Sequence, residues 1–105
     1  PFMQKLVELI TENAQDPELS MEVLYNKLGM SRTQFFRKIK AISDLSPNKL
    51  ILNIRMKMAV EKFQSGGMTI AEVAYEVGFS SPSYFTKCYK EQFGESPTEF
   101  LKRRG

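Results

Sequence analysis

The sequence predicts an all-α fold of seven helices, and two observations lead to that prediction. Apolar residues recur at helical spacing along the chain, and no strand-like alternation extends beyond a few residues. A related pattern also occurs twice, over residues 21–51 and again over residues 70–101. Each copy contains a short helix, a glycine turn and a basic second helix, which is the pattern of a helix-turn-helix unit. We therefore expect two similar lobes joined by a longer helix.

The two copies correspond residue by residue. Their offset is 49 residues at the turn glycine and 50 residues after it, so the second copy has one extra turn residue. The corresponding residues are Gly29 and Gly78, Phe35 and Phe85, Lys40 and Lys90, and Ser46-Pro47 and Ser96-Pro97. Lobe one is predicted over about residues 2–46, the linking helix over about 47–64 and lobe two over about 69–104.

Most helix boundaries have a local chemical signal. Serine or threonine precedes six of the helices and can cap their first turn, and two of these caps form boxes with a residue three positions later. Glycine follows several helices, where it can adopt a left-handed conformation. The predicted caps are Ser20, Ser31, Ser46, Thr69, Ser81 and Ser96. The predicted helices span 2–14, 21–28, about 32–42, about 47–64, 70 to Gly78, 82 to near Gly94, and a short segment from 97.

Composition and charge restrict the function. The 105 residues carry a net charge of +3 and include one cysteine, Cys88, which fits a structural role in a reducing compartment. Histidine is absent and no carboxylate pair or metal-ligand cluster stands out, so we expect neither an enzyme nor a cofactor. Because no signal peptide or membrane-length apolar run is present, we expect a cytoplasmic, nucleoid-associated protein. Because the chain begins at Pro1, we expect a fragment of a parent protein, which could itself be membrane-anchored.

Basic residues are concentrated between Arg32 and Lys62. This stretch contains eight cationic side chains and only two acidic ones, Asp44 and Glu61. Such a stripe is typical of a surface that faces phosphate, although charge alone favours an ordinary solvated helix face.

Helices three and six each separate into an inner and an outer face at 100° per residue. The predicted inner residues are Phe35, Ile39 and Ile42 in helix three, and Phe85, Tyr89 and Gln92 in helix six. The predicted outer residues are Thr33, Phe36, Arg37 and Lys40 in helix three, and Ser83, Thr86, Lys87 and Lys90 in helix six. The outer faces combine cations with hydroxyl groups and carry no acid, which favours contact with DNA, where arginine fits guanine and threonine meets the thymine methyl.

Two aromatic residues allow more than one interpretation. Phe36 lies about 100° from the core axis, so it can pack against the core or against a thymine methyl in the major groove. Tyr84 lies between the two faces and can either donate a hydrogen bond to phosphate or cover the rim of the core.

The segment IAEVAYEVGFSSPSYFTKCYKEQFGESPTEF, with its partner unit and linking helix, resembles the DNA-binding domain of the AraC/XylS family of bacterial transcription regulators. The resemblance covers about residues 5–102. The first unit, SRTQFFRKIKAISDLSP, resembles versions found at the C-terminus of hybrid two-component sensors.

This resemblance implies that helices three and six enter adjacent major grooves of double-stranded DNA. The base-proximal positions it implies are Thr33, Phe36, Arg37, Pro82, Ser83, Thr86 and Lys87, and the sequence departs from the family pattern at Phe36 and Pro82. The phosphate candidates are Arg32, Lys40, Arg55, Tyr84 and Lys90, and Arg55 can instead brace the two lobes. The implied partners are DNA, RNA polymerase and upstream sensor or receiver domains, with no small-molecule ligand in this domain.

A second function class remains open from the sequence. A helical protein-interaction module could retain this fold without reading DNA, and the acid-free outer faces argue against it. Recognition of single-stranded RNA is disfavoured because the aromatic residues occupy predicted core positions rather than an exposed stacking platform.

Overall fold

The computed structural model describes residues 1–16 and 18–104. These residues form seven α-helices and no β-strand, which confirms the predicted fold class. The helices are α1 (Phe2–Glu12), α2 (Met21–Lys27), α3 (Arg32–Ser43), α4 (Pro47–Ser65), α5 (Ile70–Glu76), α6 (Pro82–Phe93) and α7 (Pro97–Arg104). The molecule is elongated, with principal dimensions of 43, 25 and 23 Å.

The six predicted N-terminal caps are confirmed. Each hydroxyl oxygen accepts a hydrogen bond of 3.1–3.2 Å from the backbone N–H three residues later, which satisfies one of the free amides at the helix start. The capping boxes of Ser31 with Gln34 and of Thr69 with Glu72 are both complete. The predicted end of α1 is wrong, because the helix stops at Glu12, where the Asn13 amide group bonds back to the Leu9 carbonyl oxygen at 2.8 Å.

Two separate clusters of buried side chains form the interior. The first cluster draws on α1, α2, α3 and the start of α4, and consists of Leu6, Ile10, Leu24, Phe35, Ile39, Leu50 and Ile51. The second draws on the later part of α4 and on everything after it, and consists of Met56, Ala59, Phe63, Val73, Ala74, Val77, Phe79, Phe85, Cys88, Tyr89 and Phe100. The turn residue Phe79, between α5 and α6, is also buried.

Opposite sides of α4 pack into the two clusters. Leu50 belongs to the first cluster and Ala59 to the second, and nine residues at 100° each place them about 180° apart. Met58 packs against both clusters. The apolar residues of α4 differ in burial: Leu50 and Phe63 are buried, but Ile54 and Met58 are only half-buried. Ile51, Met56 and Ala59 on the same helix are also buried.

Candidate nucleic-acid interface

Helix α3 presents the predicted polar face to solvent. Phe35 and Ile39 are fully buried, whereas Thr33 and Arg37 are exposed on the other side. The first turn contains no acidic residue, and the capping box of Ser31 and Gln34 fixes where that turn begins. Negative charge is thus kept away from the positive end of the α3 dipole, which leaves the end favourable for phosphate.

Phe36 lies at the rim of the first cluster. Its side chain is half-buried, and its ring meets the Phe35 ring edge-on with centroids 6.1 Å apart. The guanidinium carbon of Arg32 lies 4.5 Å from the centroid of the Phe36 ring, a cation–π contact. Phe36 therefore makes the core contact that the sequence allowed, and the exposed Arg32 covers its ring.

Helix α6 repeats this arrangement with different residues. Phe85, Cys88 and Tyr89 are buried against the second cluster. The outward residues divide by exposure: Ser83, Lys87 and Lys90 are exposed, and Pro82 and Thr86 are half-buried. Cys88 thus belongs to the core, in agreement with its predicted structural role. Glu91 is an exposed acid one turn beyond Lys87.

Two residues predicted on the inner faces are exposed. Ile42 is 49% exposed, and Gln92, its counterpart 50 residues later, is also exposed. Ile42 lies in the last turn of α3 and Gln92 in the last turn of α6, where each helix extends past the cluster beneath it. The periodicity places these residues on the correct side of the helix, but no core remains there to cover them.

The C-terminal ends of α3 and α6 differ in charge. Asp44 and Gly94 occupy corresponding positions after α3 and α6, and both have left-handed backbones with φ of 59° and 76°. The Asp44 carboxylate lies 3.1 Å from the ammonium nitrogen of Lys40, whereas Lys90 has only a glycine at that position. The two predicted phosphate contacts are therefore not equivalent.

Tyr84 is 57% exposed, but its ring packs against the edge of the core. Its ring lies 5.9 Å from the Phe79 ring, centroid to centroid. Interaction with the Cys88 thiol raises the pKa of Tyr84, with smaller contributions from burial and then from the charge of Glu91. The hydroxyl group is therefore protonated at neutral pH and available as a hydrogen-bond donor.

A cleft of about 470 Å³ lies between the start of α4 and Tyr84 of α6. No carboxylate lines it among the described residues, and its polar lining residues are Ser46, Asn48, Lys49, Arg55 and Tyr84. Asn48 was not predicted to belong to the interface, and Lys49 was predicted only as one of the eight cations between Arg32 and Lys62, although a polar residue and a cation directly after the Ser46-Pro47 cap were a usable signal. The cleft places a second group of donors beside α6.

Arg55 is half-buried at this cleft. Its Nε atom is buried and makes no hydrogen bond within the described part of the chain, and burial lowers the pKa of its guanidinium group. Arg55 also lines a smaller cleft against Ser20, Met21 and Leu24 at the start of α2. Its side chain therefore lies between the two lobes.

The described residues hold no group of three or more histidine, cysteine, aspartate or glutamate side chains arranged for a metal ion. Within the same residues, no helix combines the length and apolar character needed to cross a bilayer.

Comparison with known proteins gives one family match and several relatives. The model of a helix-turn-helix domain matches residues 24–103. Histidine kinase P4 of Formosa agariphila is 34% identical over 97% of this chain and 7% of its own length. The transcriptional regulator GbdR of Pseudomonas aeruginosa is 32% identical over 94% of this chain and 27% of its own length.

A solved structure is closely similar to the whole chain. A transcriptional regulator from Chromobacterium violaceum, described as containing an AraC-type DNA-binding domain, has a TM-score of 0.89 and 28% sequence identity. The match covers 100% of this chain and 93% of that one. In contrast, the chain spans only between 7% and 34% of the length of the first curated relatives it matches.

Proposed function

This chain belongs to the helix-turn-helix domain family, as an AraC-type DNA-binding domain of transcription regulators, and we propose that one copy reads two adjacent major grooves of double-stranded DNA. The family and the fold are those of sequence-specific DNA-binding regulators rather than of enzymes. The two recognition helices would be α3 and α6, each presenting its outer face to base edges.

The observation that carries this proposal is a repeated scaffold with two different outer faces. The capped turns, buried phenylalanines and glycine turns recur in both lobes, whereas the exposed residues are Thr33 and Arg37 in one and Ser83 and Lys87 in the other. The 43 Å length of the molecule is sufficient for two recognition helices one DNA turn apart, about 34–36 Å. The proposed target is an asymmetric site with two unlike half-elements.

The base-reading role is assigned to residues at the outer faces. Arg37 would donate two hydrogen bonds to guanine, while Lys87 would reach a guanine edge in the other groove. Phe36 and Pro82 are half-buried and would contribute apolar contact rather than hydrogen bonds. The remaining proposed base-proximal residues are Thr33, Ser83 and Thr86.

The phosphate contacts would hold the chain in register without reading sequence. Arg32, Lys40 and Lys90 are exposed on the recognition helices, and the Tyr84 hydroxyl group remains a donor. Asn48 and Lys49 extend this set into the acid-free cleft, where Arg55 contributes its charge from a half-buried position.

Binding by the purified chain tests the proposal. DNA selected from a randomised duplex library should contain two unlike motifs about 10 base pairs apart, with one chain bound per site. The affinity should fall steeply with salt, with a slope in log–log form of about −4.5 if five phosphates are neutralised. Absence of DNA binding, or affinity that does not change with salt, would instead favour a protein-interaction module.

The role of this domain in a longer protein is a second part of the proposal. Because the chain spans a small part of its relatives, we propose that it is the output module of a longer regulator whose sensor or receiver domains detect the signal. The similarity to histidine kinase P4 supports a two-component parent. In that arrangement the domain works in the cytoplasm. RNA polymerase is the partner through which the DNA-bound domain affects transcription. Co-purification of polymerase with the DNA-bound full-length parent would test this last step.

A further inference from the structure

Gly78, in the turn between α5 and α6, meets the backbone of the other lobe. Its φ is +100°, and a Cβ atom added there would lie 2.6 Å from the carbonyl oxygen of Ala14. Ala14 belongs to the connection that follows α1, and it is 5% exposed. The α1–α2 connection of lobe one therefore rests directly on the helix-turn-helix turn of lobe two.

The corresponding glycine in lobe one has no such neighbour. Gly29 also has a positive φ, of +69°, but no described atom lies within 4 Å of an added Cβ. Glycine at position 29 is explained by backbone conformation alone. At position 78 the same turn additionally requires the absence of a side chain, because the lobes approach each other there.

Arg55 completes this contact from the linking helix. The added Cβ at Gly78 would lie 3.2 Å from both Cζ and Nε of Arg55. Arg55 also lines two clefts, one together with Met21 and Leu24 of lobe one and the other together with Phe79 and Tyr84 of lobe two. It thus lies between the lobes and against the turn that precedes recognition helix α6.

We propose that the contact of Gly78 with Ala14 and Arg55, hereafter the interlobe contact, fixes the distance and angle between α3 and α6 and so determines the spacing of the two DNA half-elements. This inference rests on the proposed function. If α4 were the only connection, one lobe could rotate about the α4 axis relative to the other. The contact between Gly78 and Ala14 lies away from that axis and prevents this rotation. Gly78, Ala14 and Arg55 are then positioning residues that influence spacing without touching a base.

The dimensions make this effect measurable. In Gly78→Ala the new Cβ would lie 2.6 Å from the Ala14 carbonyl oxygen. Increasing that distance to an ordinary contact of 3.4 Å separates the lobes locally by about 0.8 Å. The displacement grows toward the outer ends of α3 and α6, and successive base pairs are only about 3.4 Å apart. Since two linked binding modules lose their joint affinity when geometry prevents simultaneous engagement, a small change at this contact should alter the preferred spacing.

The experiment compares Gly78→Ala with Gly29→Ala as a matched control. Each purified chain selects sites from a randomised duplex library, and the distance between the two enriched motifs is scored. Wild type and Gly29→Ala should each give one sharp spacing between the two motifs. Insertion of one base pair between the motifs should lower the affinity of both proteins roughly tenfold or more. Gly78→Ala should enrich the same two motifs at a shifted or broadened spacing, with an insertion penalty at least threefold smaller. The same sharp spacing and full penalty in Gly78→Ala would overturn the inference.

Two further measurements keep the inference testable if Gly78→Ala fails to fold or DNA selection fails. Arg55→Met retains the aliphatic stem but removes the guanidinium group, and it should also broaden the spacing. Pulsed electron paramagnetic resonance between labels at Lys40→Cys and Lys90→Cys, in a Cys88→Ala background, reports the distance between the recognition helices without DNA. That distribution should be narrow with the native interlobe contact and broader or shifted after either substitution. Unchanged distributions would refute the inference, whereas a wild-type chain that selects no paired motif would refute the proposed function instead.

Discussion

The ammonium nitrogen of Lys40 lies 3.1 Å from the carboxylate of Asp44 at the end of α3, and this pair has no counterpart at the end of α6. Gly94 stands where an acid corresponding to Asp44 would be, and both residues close their helix in a left-handed conformation. The pair is highly exposed, so it contributes only about 0.3–0.5 kcal/mol to stability. Its main effect should therefore be on the charge that Lys40 offers to phosphate.

Asp44→Asn should raise affinity for DNA about two- to fivefold at low salt and steepen the salt dependence, because Lys40 is released and a repulsive charge is removed. Asparagine tolerates the left-handed backbone, so stability should change little. The measurement is a salt titration of DNA binding. Glu8→Gln on α1 is the control, since it removes an exposed carboxylate from outside the proposed interface and should leave affinity unchanged. An equal gain from both substitutions would show that only net charge matters.

Arg37→Ala and Lys87→Ala should relax sequence preference in different halves of the site, each at a cost of about 1–3 kcal/mol. Arg37→Lys is informative because it keeps the charge but loses the two-pronged guanine contact, and it should still lose preference in that half. Competition binding against single-base variants of the selected site measures the effect. Loss of preference in the same half from both alanine substitutions would contradict the assignment of one helix to each groove.

Phe36→Ala should destabilise the domain by about 1–2.5 kcal/mol, since the half-buried ring packs against Phe35 and lies beneath Arg32. A double-mutant cycle with Arg32→Ala, measured by urea unfolding, should give a coupling of about 0.5–1 kcal/mol for the cation–π contact. If the coupling is absent and Phe36→Leu selectively weakens binding to thymine-containing sites, then the ring belongs to base recognition rather than to the core.

The helix ends could be predicted from the sequence because their causes are local. The six serine and threonine caps bond to amides only three residues away, so the sequence contains both partners. The burial of Met56 and Ala59 on α4 could not be predicted in the same way, because these residues are covered only when lobe two packs against that side. The exposure of Ile42 and Gln92 likewise depends on where the underlying cluster ends. The roles of the base-proximal and phosphate residues remain predictions, since recognition requires the DNA.

Gly78→Ala should lower the free energy of unfolding by about 2–4 kcal/mol, whereas Gly29→Ala should lower it by only about 1 kcal/mol. Both substitutions place a Cβ on a left-handed backbone, but only the first adds a clash with the Ala14 carbonyl oxygen. Urea unfolding of the two variants gives the comparison. Equal losses would indicate that the lobes separate freely at this contact.

Because Glu72 and Glu99 accept capping hydrogen bonds in lobe two, we expect lobe two to be more sensitive to acid than lobe one. Hydrogen bonds from Thr69, first of all from its backbone N–H to a Glu72 carboxylate oxygen at 2.8 Å, lower the pKa of Glu72. A group whose pKa is lower in the folded state contributes stability above its unfolded pKa of about 4.3, and this contribution is lost as pH falls through the folded pKa. In lobe one the same position is Gln34, which does not titrate in this range.

Glu72→Gln should therefore leave the urea midpoint at pH 7 nearly unchanged, because glutamine keeps the acceptor, and should reduce its decline between pH 7 and pH 3. Gln34→Glu is the reciprocal variant and should increase that decline by placing a titrating acceptor in the first box. The pKa of Glu99 is also lowered, chiefly by the Ser96 backbone N–H, so a Glu72→Gln and Glu99→Gln double variant should decline least. Parallel declines in all four proteins would mean that acid unfolding begins elsewhere in the chain.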